Sequence, residues 1–162
     1  MIRYKRERNN KTKYFSLLLL ICGLVLFMLS SNLGITPFIV QIVSIALIVL
    51  AIQVLQRYVL SEFVYVIDDS EAGESILSIV RIQGKKKVTV CSIEFENCVF
   101  AGECSKFDKK LSNSFDYRQN LFDTQNFGIV YNNANDNIMI KLEPDQAFID
   151  EILKRICDFT EI

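Results

Sequence analysis

The residues that could do chemistry in this chain are few, and one type is missing. There is no histidine among the 162 residues. Cys91, Cys98 and the serines, the candidate nucleophiles, therefore lack an imidazole to activate them. A Ser–Lys pairing would not need one, but no spacing in the chain points to it. The five cysteines, Cys22, Cys91, Cys98, Cys104 and Cys157, form no C-x-x-C pair. Their odd number and irregular spacing suit free thiols in a reducing compartment better than a disulfide set or a zinc site.

The acidic groups Asp68/Asp69, Glu94/Glu96 and Asp145/Asp150/Glu151 would serve as acid–base pairs only if burial separated their pKa values. They fall in turns, at strand ends or on a helix exterior, where carboxylates stay solvated. Asn132–Asn137 offers side-chain oxygens to a calcium ion, yet it lacks the alternation and the bidentate Glu of an EF-hand loop, and it reads as a turn. Six scattered glycines make no phosphate-binding loop. The chain is expected to be non-enzymatic, with no catalytic residue, cofactor or metal.

What remains is positive charge, unevenly placed. Residues 1–57 hold seven Lys/Arg and one acid, a net +6, and residues 58–162 hold eleven Lys/Arg and eighteen acids, a net −7. An acidic C-terminal part argues against nucleic acid, whose phosphates need a basic face. The cations Arg3, Lys5, Arg6, Arg8, Lys11 and Lys13 precede the apolar segment, and Lys85-Lys86-Lys87 is the one basic cluster in the acidic part. Both groups are candidate contacts with anionic headgroups, at about 1 kcal/mol per residue near the surface. The plainer account of Lys85–Lys87 is a solvated hairpin tip.

The elements that position these cations begin with two apolar runs. Phe15–Leu29 carries no charge, and eleven of its fifteen residues are Phe, Leu, Ile or Val. Together they favour membrane insertion by about 3–6 kcal/mol. Thr36–Leu55 has thirteen such residues and no charge, with Pro37 suited to a first helical turn. A cleaved signal peptide is the alternative for the first run, but a second membrane-length run follows after a short link. Two transmembrane helices, about 14–31 and 36–57, are therefore expected behind a basic tail, 1–13, with no apolar period. Six cations precede the first span and the connection holds none, which puts both termini in the cytoplasm of a two-span cell-membrane protein.

From Glu62 the pattern alternates, the mark of half-buried strands. Phe63, Tyr65 and Ile67 share one face of the first strand, which ends in the turn Asp68–Gly73. Ile76–Ile82 is the second, and Gln83-Gly84-Lys85 is a tight turn with Gly supplying positive φ. Val88 and Val90 are expected to point inward in the third. Further strands are read near Asn97–Ala101, Phe115–Gln119, Phe127–Tyr131 and Asn137–Leu142, with Gly102–Ser114 a loop. A closing helix, about 145–158, carries the stripe Phe148, Ile149, Ile152, Leu153 and Ile156.

Seven short strands followed by one amphipathic helix resemble a pleckstrin-homology-like (PH-like) domain. Phe63-Val64-Tyr65-Val66-Ile67, Gly84–Cys91, Phe115-Asp116-Tyr117-Arg118-Gln119-Asn120 and Lys141-Leu142-Glu143-Pro144-Asp145 are also similar to stretches of small membrane proteins of Gram-positive, clostridial-type bacteria. In that group a two-helix hairpin precedes a PH-like domain. The resemblance implies an α+β chain, with a transmembrane α-hairpin followed at 58–162 by a seven-stranded bent sheet or partial barrel that the helix caps. In PH domains that bind phosphoinositides, cations in the first strand-to-strand loop clamp the phosphates. Here that loop, Asp68–Glu74, is acidic, and Lys85–Lys87 follows the second strand.

The expected function is a membrane-anchored interaction module that binds a protein, a peptide or the membrane surface at the inner leaflet. About four residues, under ~14 Å even if extended, would separate the second span from the first strand and keep the domain near the bilayer. The alternative is a small subunit of a transport or envelope complex, with the hairpin packing through Ser16, Gly23, Ser44 and Ala46.

Overall fold

The computed structural model describes residues 1–7, 9–30, 37–69, 75–107, 111–122, 126–133 and 136–160. The chain divides into two units. One comprises residues 1–7, 62–119 and 123–162, and the other comprises residues 8–61 and 120–122.

The second unit is a helical hairpin. Helix α1 (Asn10–Leu29) starts at Asn9, which is extended and accepts the Lys11 N–H on its side chain at 2.9 Å. Helix α2 (Pro37–Val54) runs into one π-helical turn, Leu55–Val59, closed by Leu60 N–H donating to Leu55 C=O at 2.8 Å. Both helices are long and apolar enough to cross a bilayer.

The described residues buried in the hairpin helices are small: Thr12, Ser16, Gly23, Ser30, Ser44 and Ala51. All but Thr12 recur every seventh position, at 16, 23 and 30 on one helix and 44 and 51 on the other. That period keeps a narrow seam facing the neighbouring helix. A Cβ added at Gly23 would meet Ile48 Cγ1 at 2.7 Å and the Ser44 carbonyl oxygen at 3.1 Å, so the backbones approach as closely as only small residues allow. The seam hydroxyls turn back on their own helices, Ser16 to Lys13 C=O and Ser44 to Gln41 C=O. The large apolar side chains, among them Leu17, Leu18, Ile21, Leu24, Phe38 and Ile42, point outward.

The first unit holds two sheets and a helix. Strands β1 (Ile2–Lys5), β2 (Ser61–Asp69), β3 (Ser75–Gln83) and β4 (Lys86–Glu94) form one sheet in the order β1-β2-β3-β4. Strands β5 (Cys98–Glu103), β6 (Asn113–Asp116), β7 (Phe127–Asn133) and β8 (Asp136–Leu142) form the other in the order β5-β7-β8-β6. The sheets are not closed into a barrel. Between them, and under α3 (Gln146–Thr160), lies a core built on Phe63, Tyr65, Ile67, Leu77, Ile79, Ile93, Phe95, Ile129, Ile140, Phe148 and Ile152. Asp145 starts α3 by accepting the Phe148 N–H at 2.9 Å.

Several expectations are corrected. Residues 1–13 are not a tail without structure: Ile2–Lys5 is a strand, antiparallel to Val64–Ile67, and α1 begins at Asn10. Four residues carry little local signal, and a partner distant in sequence decides their conformation. Val88 does not point into the core; it is 55% exposed. A β-bulge between Ile79 and Val80 accompanies Val90 and Cys91 both packing against the core, whereas Val88, opposite Arg81, lies nearer the hairpin tip and beyond it. Leu153 of the helical stripe is also exposed. The strand expected at Phe115–Gln119 is Asn113–Asp116, and it pairs in parallel with β8. Of the Gly102–Ser114 loop, Gly102 and Glu103 belong to β5, and Asn113 and Ser114 begin β6. The hairpin connection at 31–36 and most of the Asp68–Glu74 turn lie outside the described residues.

Candidate functional site

Three places in the PH-like unit warrant a functional reading: a buried polar hub, an open cleft and a basic hairpin tip. The hub gathers around Glu143, whose side chain is fully buried at the end of β8. Its carboxylate accepts the Gln119 backbone N–H at 2.9 Å and pairs with Arg6 Nε at 3.3 Å. The Glu143 backbone N–H donates to the Tyr65 hydroxyl at 3.2 Å, and that hydroxyl donates to Tyr117 C=O at 2.9 Å. The Gln119 carboxamide oxygen accepts the Phe63 N–H at 2.9 Å. Burial pushes the Tyr65 hydroxyl above its ordinary range, so it stays protonated and donating.

Three of the stretches that carry the family resemblance meet at this hub. In Phe115–Asn120, the Asp116 carboxylate holds Arg118 in a fork at 3.0 and 2.6 Å, and Tyr117 N–H donates to Lys141 C=O at 3.0 Å. Asn120, in the helical unit, accepts the Asn9 N–H at 2.8 Å, and there Phe122 meets Phe15 edge-on at 5.2 Å. The hub ties β2, the 115–120 stretch and the end of β8 to one another, and Arg6 closes it over Glu143. Sequence reasoning missed it, although one signal existed. A Tyr in phase with Phe63 and Ile67 must bury a hydroxyl, and a buried hydroxyl needs a partner.

The cleft is different. It opens where β3 and β4 face the end of β7, with a volume of about 310 Å³. Ile76 and Ile93 line it with apolar surface, and Ser92, Asn97, Tyr131, Asn132 and Asn133 add hydroxyl and amide groups. Among the described residues its one charged group is Glu94, which accepts from Asn97 Nδ2 at 2.9 Å. Among the described residues no cation lines it, so an anionic ligand finds no described group to pair with there.

The candidate headgroup contacts fall in different settings. Lys85, Lys86 and Lys87 are exposed at the β3–β4 hairpin, where Gly84 takes φ +59°. Arg3 is exposed on β1. Lys5 pairs with Glu62 at 2.7 Å, and Arg6 with Glu143, so both are engaged inside the unit. Lys11 and Lys13 are exposed in the first turns of α1, and Arg8 lies outside the described residues.

The reactive candidates are placed for structure. Desolvation pushes the Cys98 thiol up to about 12 and raises Cys91 and Cys104, which suppresses the nucleophilic thiolate. Asp69 accepts from Ser75 Oγ at 2.7 Å and from Arg155 of α3, and the Arg155 guanidinium, then Ser75, hold its carboxyl below the usual carboxylate range. Among the described residues no three His, Cys, Asp or Glu side chains gather as a metal site. Of the small residues read as a packing face for a partner, Ser16, Gly23 and Ser44 are buried, and Ala46 is exposed.

Residues 4–158 match the family described as Bacterial PH-like domain (DUF6106), and the chain belongs to that family. No curated protein and no solved structure matches it.

Proposed function

We propose that this protein is a membrane-anchored, non-catalytic interaction module whose PH-like unit takes a protein or peptide segment in the β3–β4–β7 cleft. The two-span hairpin would hold it in the cell membrane, with both termini in the cytoplasm. The carrying observation is the cleft's chemistry. Apolar isoleucines beside amides, hydroxyls and a single carboxylate suit a peptide, whose backbone supplies donors and acceptors and whose side chains can bury. Among the described lining residues, inositol phosphates would meet Glu94 and no cation. The exposed Lys85–Lys87 tip and Arg3 would add weak contact with anionic headgroups, and Lys11 and Lys13 suit the same role at the start of α1.

The accessory-subunit alternative loses part of its basis, because Ser16, Gly23 and Ser44 are already buried. The test uses the full-length protein purified with its neighbours in mild detergent. Filling the cleft with Ser92→Arg and Asn133→Arg should remove a specific partner, while Lys85–Lys87→Ala should leave that partner bound and weaken binding to phosphatidylserine vesicles. A partner that survives the filled cleft and is lost when the hairpin is exchanged for an unrelated one would overturn the proposal in favour of the alternative.

A further inference from the structure

Residues 1–7 are part of the PH-like unit, yet the whole of residues 8–61 separates them from the rest of it. They add to it as a peptide would. Ile2–Lys5 lies antiparallel along β2, with Ile2 opposite Ile67 and Tyr4 opposite Tyr65. Alternate residues of a strand share a face, so Ile2, Tyr4 and Arg6 form one set. The Tyr4 ring stacks on Tyr65 with centroids 6.1 Å apart and 14° between planes, and it lies 5.4 Å from the Phe148 ring of α3. Two positions on, Arg6 Nε reaches the fully buried Glu143 carboxylate at 3.3 Å. On the opposite face Lys5 pairs with Glu62 at the rim.

We infer that the groove along β2, walled by Tyr65 and Phe148 and closed by Glu143, is a strand-addition site for an extended peptide with an aromatic residue and an arginine two positions after it, and that Ile2–Arg6 is its resident ligand in cis. Main-chain bonds to a sheet edge supply affinity to any extended segment, and pockets for alternate side chains supply the choice. Here both pockets are selective. The aromatic one is built from two rings that Tyr4 covers. The second holds a buried carboxylate, which is costly without a cation beside it. The resident strand pairs through only four residues at the edge of its sheet, and so short a pairing opens more readily than the strands behind it. A partner peptide of the same pattern would displace it, so the resident strand gates the site. None of the groove's residues lines the β3–β4–β7 cleft, and a failure of one site leaves the other untouched.

The probe is a fluorescein-labelled peptide with the sequence of Met1–Glu7, and its control carries Tyr4→Ala and Arg6→Ala. Binding is read by anisotropy on the full-length protein in detergent, as wild type and as the Tyr4→Ala/Arg6→Ala variant, whose own strand can no longer fill the groove. The variant should bind the probe at least about tenfold more tightly than the wild type does, and about tenfold more tightly than it binds the control. Equal binding by the two proteins, or equal binding of the two peptides, overturns the inference. If circular dichroism shows the double variant unfolded, Tyr4→Ala alone replaces it. If that also fails to fold, β1 is a fixed core strand and the inference falls.

Discussion

The two units are built inside out relative to each other. In the hairpin helices the described buried residues are small, Thr12, Ser16, Gly23, Ser30, Ser44 and Ala51, and large apolar ones such as Leu17 and Phe38 face outward. In the PH-like unit Phe63, Tyr65, Ile67, Ile129 and Ile140 are inside and Lys85, Lys86, Lys87 and Lys154 are outside. The difference shows which solvent each unit suits. In water, burying large apolar surface is the main driving force, and a wide apolar exterior is a liability. Between lipid tails that force is absent, and helices associate by close backbone approach at small residues. The same contrast governs charge. α1 and α2 contain no carboxylate, whereas the PH-like unit buries one, Glu143, and organises distant segments around it.

Removing that one charge should give the largest effect and confine it to one side of the comparison. Glu143→Ala leaves Arg6 and the Gln119 N–H without their carboxylate and should destabilise the PH-like unit by about 3–5 kcal/mol. Urea unfolding followed by tyrosine fluorescence would show this, with helicity of the hairpin retained. If both units unfold together, they are not independent and the contrast fails.

The converse substitution is Gly23→Leu. Its Cβ would fall 2.7 Å from Ile48 Cγ1, and overpacking of this kind costs about 1–3 kcal/mol. Protease cleavage of the hairpin in micelles should accelerate, while the urea midpoint of the PH-like unit stays in place.

Gly128→Ala probes close approach inside the PH-like unit, where the new Cβ would meet Cys104 Sγ at 2.6 Å and Ile140 C=O at 3.3 Å. The thiol can swing aside, so a loss of about 1–2 kcal/mol is expected, with part regained when Cys104→Ala is added. Purely additive losses would show that the thiol is not the obstacle.

The smallest effect is a pH dependence. The carboxyl of Asp69 is held below its ordinary value, chiefly by the hydrogen bond from Arg155. A depressed carboxyl contributes stability that is present above its unfolded value of about 3.9 and is lost as pH falls through the folded one. Amide exchange in α3 near Arg155 should therefore quicken below about pH 4, while the hairpin, which has no carboxylate in its helices, should not respond. Equal acceleration in both would remove Asp69 as the cause.

Much of this molecule is legible because its signals are local. Two apolar runs, an alternation of period two from Phe63 onward, and the stripe from Phe148 to Ile156 name the elements and their order. What could not be read depends on partners far along the chain. Ile2-Arg3-Tyr4-Lys5 alternates like a strand, but four residues beside a run of cations look like a tail until β2 is seen next to them. Val88 alternates correctly and is still exposed, because its partner is Arg81, toward the hairpin tip and beyond the core.

Composition and period alone name the classes of structure: two uncharged apolar runs long enough to span a bilayer, a β-rich unit closed by an amphipathic helix, and no histidine to build an active site around. Hydrophobic period and composition carry that information residue by residue, without reference to distant partners. Only the tertiary structure decided that the cation at position 6 faces a carboxylate at position 143 and that the small residues of the hairpin are buried. It also decided that the first residues of the chain complete a sheet begun sixty positions later. Each of these is a long-range pairing. Its energy exists only once both partners have been brought together, so neither partner alone carries the mark of it.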